Sequence, residues 1–123
     1  MTLEINGHDY ELKMTFKALK AFDIVNDDFQ KNTEKIGNIV MGIVGGDVFA
    51  LKSALVAMTG NSSNTVQEDL ENADNLDDAF GAVENLLLES PLTKKTVKMV
   101  YEPIKDGFKQ AEEKMMKAVQ EAK

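Results

Sequence analysis

At 123 residues, with 14 Lys, no Arg and 21 acidic side chains, the chain carries a formal net charge of −7 and is long enough for one modest hydrophobic core. A content of 43% hydrophobic and 28% charged residues is that of a globular domain and too apolar for a disordered one. The acidic sign and the missing arginines argue against nucleic-acid binding, which needs cationic surface to displace counterions. Without cysteine there are no disulfides or thiolate metal sites, which suits a reducing cytoplasm. No apolar run is long enough to span a bilayer, and MTLEINGHDYELK lacks the regions of a signal peptide, so the chain is expected inside the cell and away from membranes.

The charge is unevenly placed. Residues 94–123 carry a local net of +3, whereas residues 1–93 carry −10. Between Ser53 and Thr93 there is no Lys, and eight acids run from Glu68 to Glu89. This asymmetry can draw the two regions together, within a chain or between copies. It can equally describe two solvated helix faces.

The first 14 residues read as a β-hairpin packed on the helices that follow. Leu3 and Ile5, then Tyr10, Leu12 and Met14, alternate with polar residues around Asn6-Gly7, a dipeptide suited to a tight turn. His8-Asp9 is read as extending that loop. From 15 to 90 the spacing predicts short helices. Thr15 caps one carrying Phe16, Leu19, Phe22 and Val25 on its inner face, and Asn26-Asp27-Asp28 interrupts it. A second begins near Asn32-Thr33, carries Ile36, Ile39, Val40, Ile43 and Val44, and stops at Gly45-Gly46. Asp47 opens a third, with Val48, Leu51, Leu55 and Met58 inward and Gly60 at its end. After the polar loop Asn61 to Asn64, Thr65-Val66-Gln67-Glu68 has the form of a capping box, and Val66, Leu70 and Ala73 follow it. Another start falls at Asp74-Asn75, where Asp77 and Asp78 complement the helix dipole and Leu76, Phe80, Val83 and Leu87 face inward until Ser90-Pro91.

The region 91–123 is helical to its end. Val97, Tyr101, Ile104, Phe108, Ala111, Met115, Ala118 and Ala122 alternate spacings of four and three, an a/d heptad seam. Pro103 falls inside it and predicts a kink, or a break near Glu102 with Pro103 opening a new helix. So narrow a stripe suits a helix lying in a groove or pairing with another copy, and it also suits packing on the domain's own core. Met14 and Met58 read as core filling, whereas Met116, off the seam, is a candidate for an adaptable contact surface. The whole is expected to be one mainly α domain, 1–123, with a hairpin on five to six helices and a long C-terminal helix. The candidate partner or self-association surface is Val97, Tyr101, Ile104, Phe108, Met115 and Met116.

Searches for chemistry fail in turn. A catalytic triad would have to use the single histidine, His8, which sits in the predicted turn and reads as exposed and idle. One histidine cannot build the usual zinc site. The acids at 68–78 do not fit a calcium loop, because Ala73 or Leu76 falls where a fifth-position ligand is needed, so helix caps and a solvated face account for them. The stretch Gly42 to Asp47 lacks the Gly-Lys-Ser/Thr ending of a phosphate loop and follows no strand. No pair of acids is singled out for hydrolysis. No enzyme activity, metal or cofactor is therefore expected, and what remains is a protein that binds other proteins.

The order of parts carries a resemblance. A hairpin, LEINGHDYELKM, runs straight into TFKALKAFDIV; short helices follow, and an acidic helix, NLDDAFGAVENLLLES, leads into a Lys-bearing C-terminal helix. Over essentially its whole length the chain resembles the tail assembly chaperones of long-tailed bacteriophages, in particular those of phages and prophages of Gram-positive bacteria. The resemblance implies a non-enzymatic role in virion assembly: binding the tape measure protein, keeping it soluble, and promoting growth of the tail tube, with the tail tube protein a possible second partner. It implies action as a homo-oligomer in the host bacterial cytoplasm, absence from the mature virion, and in many relatives a longer frameshifted form. The alternative reading is an acidic inhibitor or immunity-type protein that meets a basic partner through Glu68 to Glu89.

Overall fold

The computed structural model describes residues 2–25 and 28–121, with side chains described as far as Lys117. Strands β1 (Thr2–Ile5) and β2 (His8–Glu11) form an antiparallel hairpin, followed by helices α1 (Phe16–Ala21), α2 (Phe29–Val44), α3 (Val48–Thr59), α4 (Ser63–Glu71), α5 (Leu76–Glu89) and α6 (Lys94–Glu121). The fold is thus mainly α, with the expected N-terminal hairpin and long last helix.

The hairpin turn is two residues long. Asn6 (φ 52°) and Gly7 (φ 78°) both adopt the left-handed conformation, which matches the twist of the flanking strands. His8 and Asp9 do not lengthen it; they pair with Ile5 and Glu4. Ile5, Tyr10 and Leu12 are buried, so period-two alternation correctly identifies the inner face. Just beyond the strand, Lys13 N–H donates to the Met58 carbonyl (3.0 Å), fastening the hairpin's exit to the end of α3.

Helix α3 lies at the centre. Leu51, Ala54 and Leu55 are fully buried, because α1, α2, α4, α5 and β2 all pack on it. Its sequence, VFALKSALVAMT, is apolar nearly all round, as suits a surrounded helix. Helix α2 contributes Ile36, Val40 and Ile43, and α5 contributes Ala79, Val83 and Leu87; with Val97 of α6 they complete the core. Helices α2 and α3 meet at a 119° bend through Gly45-Gly46, with Gly46 at φ 79°. No single described helix is long and apolar enough to cross a membrane. Gly42 permits the tight corner: a Cβ there would lie 2.6 Å from the Ala50 Cβ.

Several local expectations are corrected. Helix α1 ends at Ala21, four residues short of Val25, so the expected inner face is not formed: Ala18 is its buried residue, Phe16 is exposed in its first turn, and Val25 is exposed in the segment that follows. Helix α2 begins three residues earlier than expected, since Asp28 Oδ1 accepts from the Gln30 and Lys31 backbones. Asn26 and Asp27, the rest of the expected interruption, lie outside the described residues. Val48 is exposed in the first turn of α3. The cap of α4 is Ser62, whose Oγ accepts from Thr65 N–H (3.2 Å); Thr65 is already inside the helix and its hydroxyl accepts from Ser62. Helix α6 runs unbroken through Pro103. Proline removes the bond to the Met99 carbonyl, but Met99 and Pro103 both lie on the solvent side, where water can replace the donor.

Candidate functional site

The acids at 68–78 are not a uniform solvated face. Glu68, Glu71 and Asp74 are exposed, and Asp77 and Asp78 occupy the first turn of α5, but Asp69 is buried at 2% exposure. Its carboxylate accepts from three hairpin side chains in alternate positions. Asn6 Nδ2 donates to Oδ1 (3.2 Å), His8 Nδ1 lies 2.8 and 3.0 Å from the two oxygens, and the Tyr10 hydroxyl donates to Oδ2. Burial alone would raise the Asp69 pKa; the bonds from Tyr10, His8 and Asn6 outweigh it and hold the carboxyl below the ordinary aspartate value. Burial first, and then the same contact with Asp69, push the Tyr10 hydroxyl well up. His8 is therefore not idle, although its ring is largely exposed: it is one of three clamps locking the hairpin to α4. Asn75 adds a fourth tie, donating from Nδ2 to the Glu4 carbonyl (2.7 Å). This cluster holds structure together and presents no nucleophile.

The α6 seam is divided by the structure. Val97 is buried, and Tyr101 and Ile104 pack on the core against α2 and α5. The Tyr101 hydroxyl donates to Glu84, which together with burial raises its pKa, and Lys105 Nζ sits 5.0 Å from the centre of its ring. Phe108 is 37% exposed and lies across Gly45, where an added Cβ would come within 2.8 Å of its Cζ. From there the helix leaves the body, and every described side chain from Lys105 to Lys117 is exposed, including Met115 and Met116 at 70% and 66%. Ala118 and Ala122, the last seam positions, lie outside the described side chains. At the point of departure, Met41, Pro103, Ile104, Gly107, Phe108 and Ala111 line an apolar groove of about 390 Å³ between α2 and α6.

A second concavity is built on α3. Val48, Phe49, Leu70 and Leu76 form an apolar cleft of about 420 Å³ between α3, α4 and the start of α5, rimmed by Lys52, Gln67 and Glu71. Phe49, 75% exposed, is its most prominent wall. Sequence reasoning missed this cleft, yet it had a signal. Phe49 falls on the same face of α3 as Lys52 and Ser53, so a large aromatic interrupts an otherwise polar stripe.

Among the described residues no direct ion pair joins α6 to the acidic stretch 68–89; Lys105 is coupled to Glu84 through the Tyr101 hydroxyl that both of them meet. Comparison with curated proteins and with solved structures finds no match. Comparison with protein families does: a model described as phage tail assembly chaperone protein matches residues 2–102, from the hairpin to the first two turns of α6. That span contains the Asp69 clamp and the α3–α4 cleft and stops one residue short of Pro103. The match covers most of the chain, which therefore belongs to the phage tail assembly chaperone family and has its role in phage tail assembly.

Proposed function

We propose that the chain binds the tape measure protein of its phage, keeps that long partner soluble and promotes tail-tube assembly around it, without catalysing a reaction. The observation that carries this reading is the exposed apolar cleft around Phe49, inside the family-matched region. It is a groove of the kind that takes one apolar face of an amphipathic helix, and its polar rim can meet the flanking polar positions. The net charge of −7 would keep such a complex dispersed. The proposal places this activity in the host cytoplasm and treats residues 1–123 as one domain, since one buried cluster draws on β1, β2 and α2 to α6. The acidic-inhibitor reading gains nothing here, because Asp69 is buried in a structural clamp and so is lost to any contact face.

Co-expression with the tape measure protein encoded in the same phage tests the proposal. The wild-type chain should raise the soluble fraction of that partner and copurify with it. Phe49→Asp, at a surface position that leaves the core intact, should weaken the complex by about 2 kcal/mol, roughly thirtyfold, as loss of a buried aromatic anchor does. Raising salt should weaken it little. An insoluble partner in the presence of the wild-type chain would overturn the chaperone reading. A Phe49→Asp chain that binds as well as wild type would remove the cleft from it.

A further inference from the structure

The cleft between α3, α4 and the start of α5 is apolar inside and electrically uneven along its rim. Lys52 Nζ donates to Gln67 Oε1 (3.2 Å), and Gln67 Nε2 donates to Glu71 Oε1 (3.4 Å), so the one cation of the rim is turned onto α4. Gln67 and Glu71 are one turn apart on α4, which sets Lys52 back from the Glu71 carboxylate. Leu76 also walls a polar concavity lined by residues 73–78, and this brings Asp74 to the edge of the cleft. Glu71 and Asp74 are exposed. Among the described residues the ion pairs join His8 to Asp69, Lys13 to Glu11 and Lys35 to Asp23, so neither carboxylate is paired with a cation. The neighbouring sequence supplies none, because there is no Lys between Ser53 and Thr93.

We propose that the cleft accepts a net-basic amphipathic helix, with its apolar stripe over Phe49, Leu70 and Leu76 and Lys or Arg on the flank that passes Glu71 and Asp74. This selectivity rests on the same cleft being the docking site, and it narrows which helical segments of a long partner are taken. An acidic helix with the same stripe would set like charges together at this edge. Its one favourable rim contact would be Lys52, which would first have to leave Gln67. Exposed pairs of this kind are screened and individually weak, so they choose among apolar helices while Phe49 supplies the hold.

Two synthetic helices of about 18 residues, or roughly five turns, test this. They share one leucine stripe and carry either lysine or glutamate at the flanking positions. Titrated against the full chain by fluorescence anisotropy, the lysine-flanked helix should bind about tenfold more tightly than the glutamate-flanked one. Phe49→Asp should weaken it about thirtyfold, which ties the binding to the cleft. Glu71→Lys combined with Asp74→Lys should weaken the lysine-flanked helix about fivefold and strengthen the glutamate-flanked one. Both positions are exposed, so the fold should persist, with circular dichroism as the check. The same change in net charge made by Glu112→Lys with Glu113→Lys, on the exposed part of α6, should leave affinity within about twofold. Equal binding of the two helices overturns the proposal. So does binding indifferent to Phe49→Asp, or a loss at Glu112 and Glu113 as large as that at Glu71 and Asp74. The chaperone reading fails separately: a tape measure protein that stays insoluble, while the lysine-flanked helix still docks at Phe49, removes that role and keeps the preference of the cleft. A soluble complex alongside helices that bind equally does the reverse.

Discussion

Replacing Asp69 by Asn is the most informative single change to the fold. It keeps the shape of the side chain but removes the charge that Asn6, His8 and Tyr10 converge on. Hydrogen bonds to a charged group contribute about 1.5–3 kcal/mol, and neutral ones about 0.5–1.5. Such values are already net of desolvation, and the contact from the largely exposed His8 ring counts for less than the other two, so the three bonds together lose about 2 kcal/mol. For a chain of this length, that lowers Tm by about 8 °C. Urea unfolding followed by circular dichroism at neutral pH measures it directly, and an unchanged m-value would show that the folded core is the same. The pH dependence adds a second arm. The folded-state pKa of Asp69 is depressed, so its stabilisation is fully present above the unfolded value of 3.8 and is lost as pH falls through the lower folded value. The gap between wild type and Asp69→Asn should therefore hold at neutral pH and close only in strong acid. A variant within 0.5 kcal/mol of wild type at pH 7 would refute the view that this carboxylate locks the hairpin to α4.

Two further changes probe the helices. Gly42→Ala should destabilise by about 1–3 kcal/mol despite the better helix propensity of alanine, because its Cβ would sit 2.6 Å from the Cβ of Ala50 and force α2 from α3; a thermal melt equal to or above wild type would contradict the close approach. Pro103→Ala should stabilise by about 1–3 kcal/mol, restoring a backbone bond within a continuous exposed helix; if helicity at 222 nm and Tm both fall, α6 does not run unbroken through that position.

Much of the secondary structure was legible because it rests on local chemistry. Asn6-Gly7 closes the hairpin, Gly45-Gly46 and Gly60 end helices, and Asp47 starts one, all through backbone preferences that act within a few residues. The order of those parts also carried the family resemblance, which the match over residues 2–102 supports. Where two local signals competed, pattern alone misled. Ser62 and Thr65 can each cap a helix, and the geometry of the chain leaving α3 selects Ser62.

Other outcomes depended on contacts between distant segments. Asp69 looked like one acid in a solvated cluster, and nothing in its neighbours announces burial. Only the docking of a hairpin some sixty residues earlier in the chain encloses it, and charge is tolerable there because three donors arrive with the strand. Periodicity likewise predicted one seam from Val97 to Ala122 but could not say where the body stops. That point is set by the length of α2: its C-terminus covers α6 as far as Phe108 on Gly45, and beyond it the same pattern of residues becomes surface. The sequence by itself determined which residues are apolar and at what spacing. Which of those stripes the chain covers with its own elements, and which stay exposed, depends on how far the neighbouring helices reach along them.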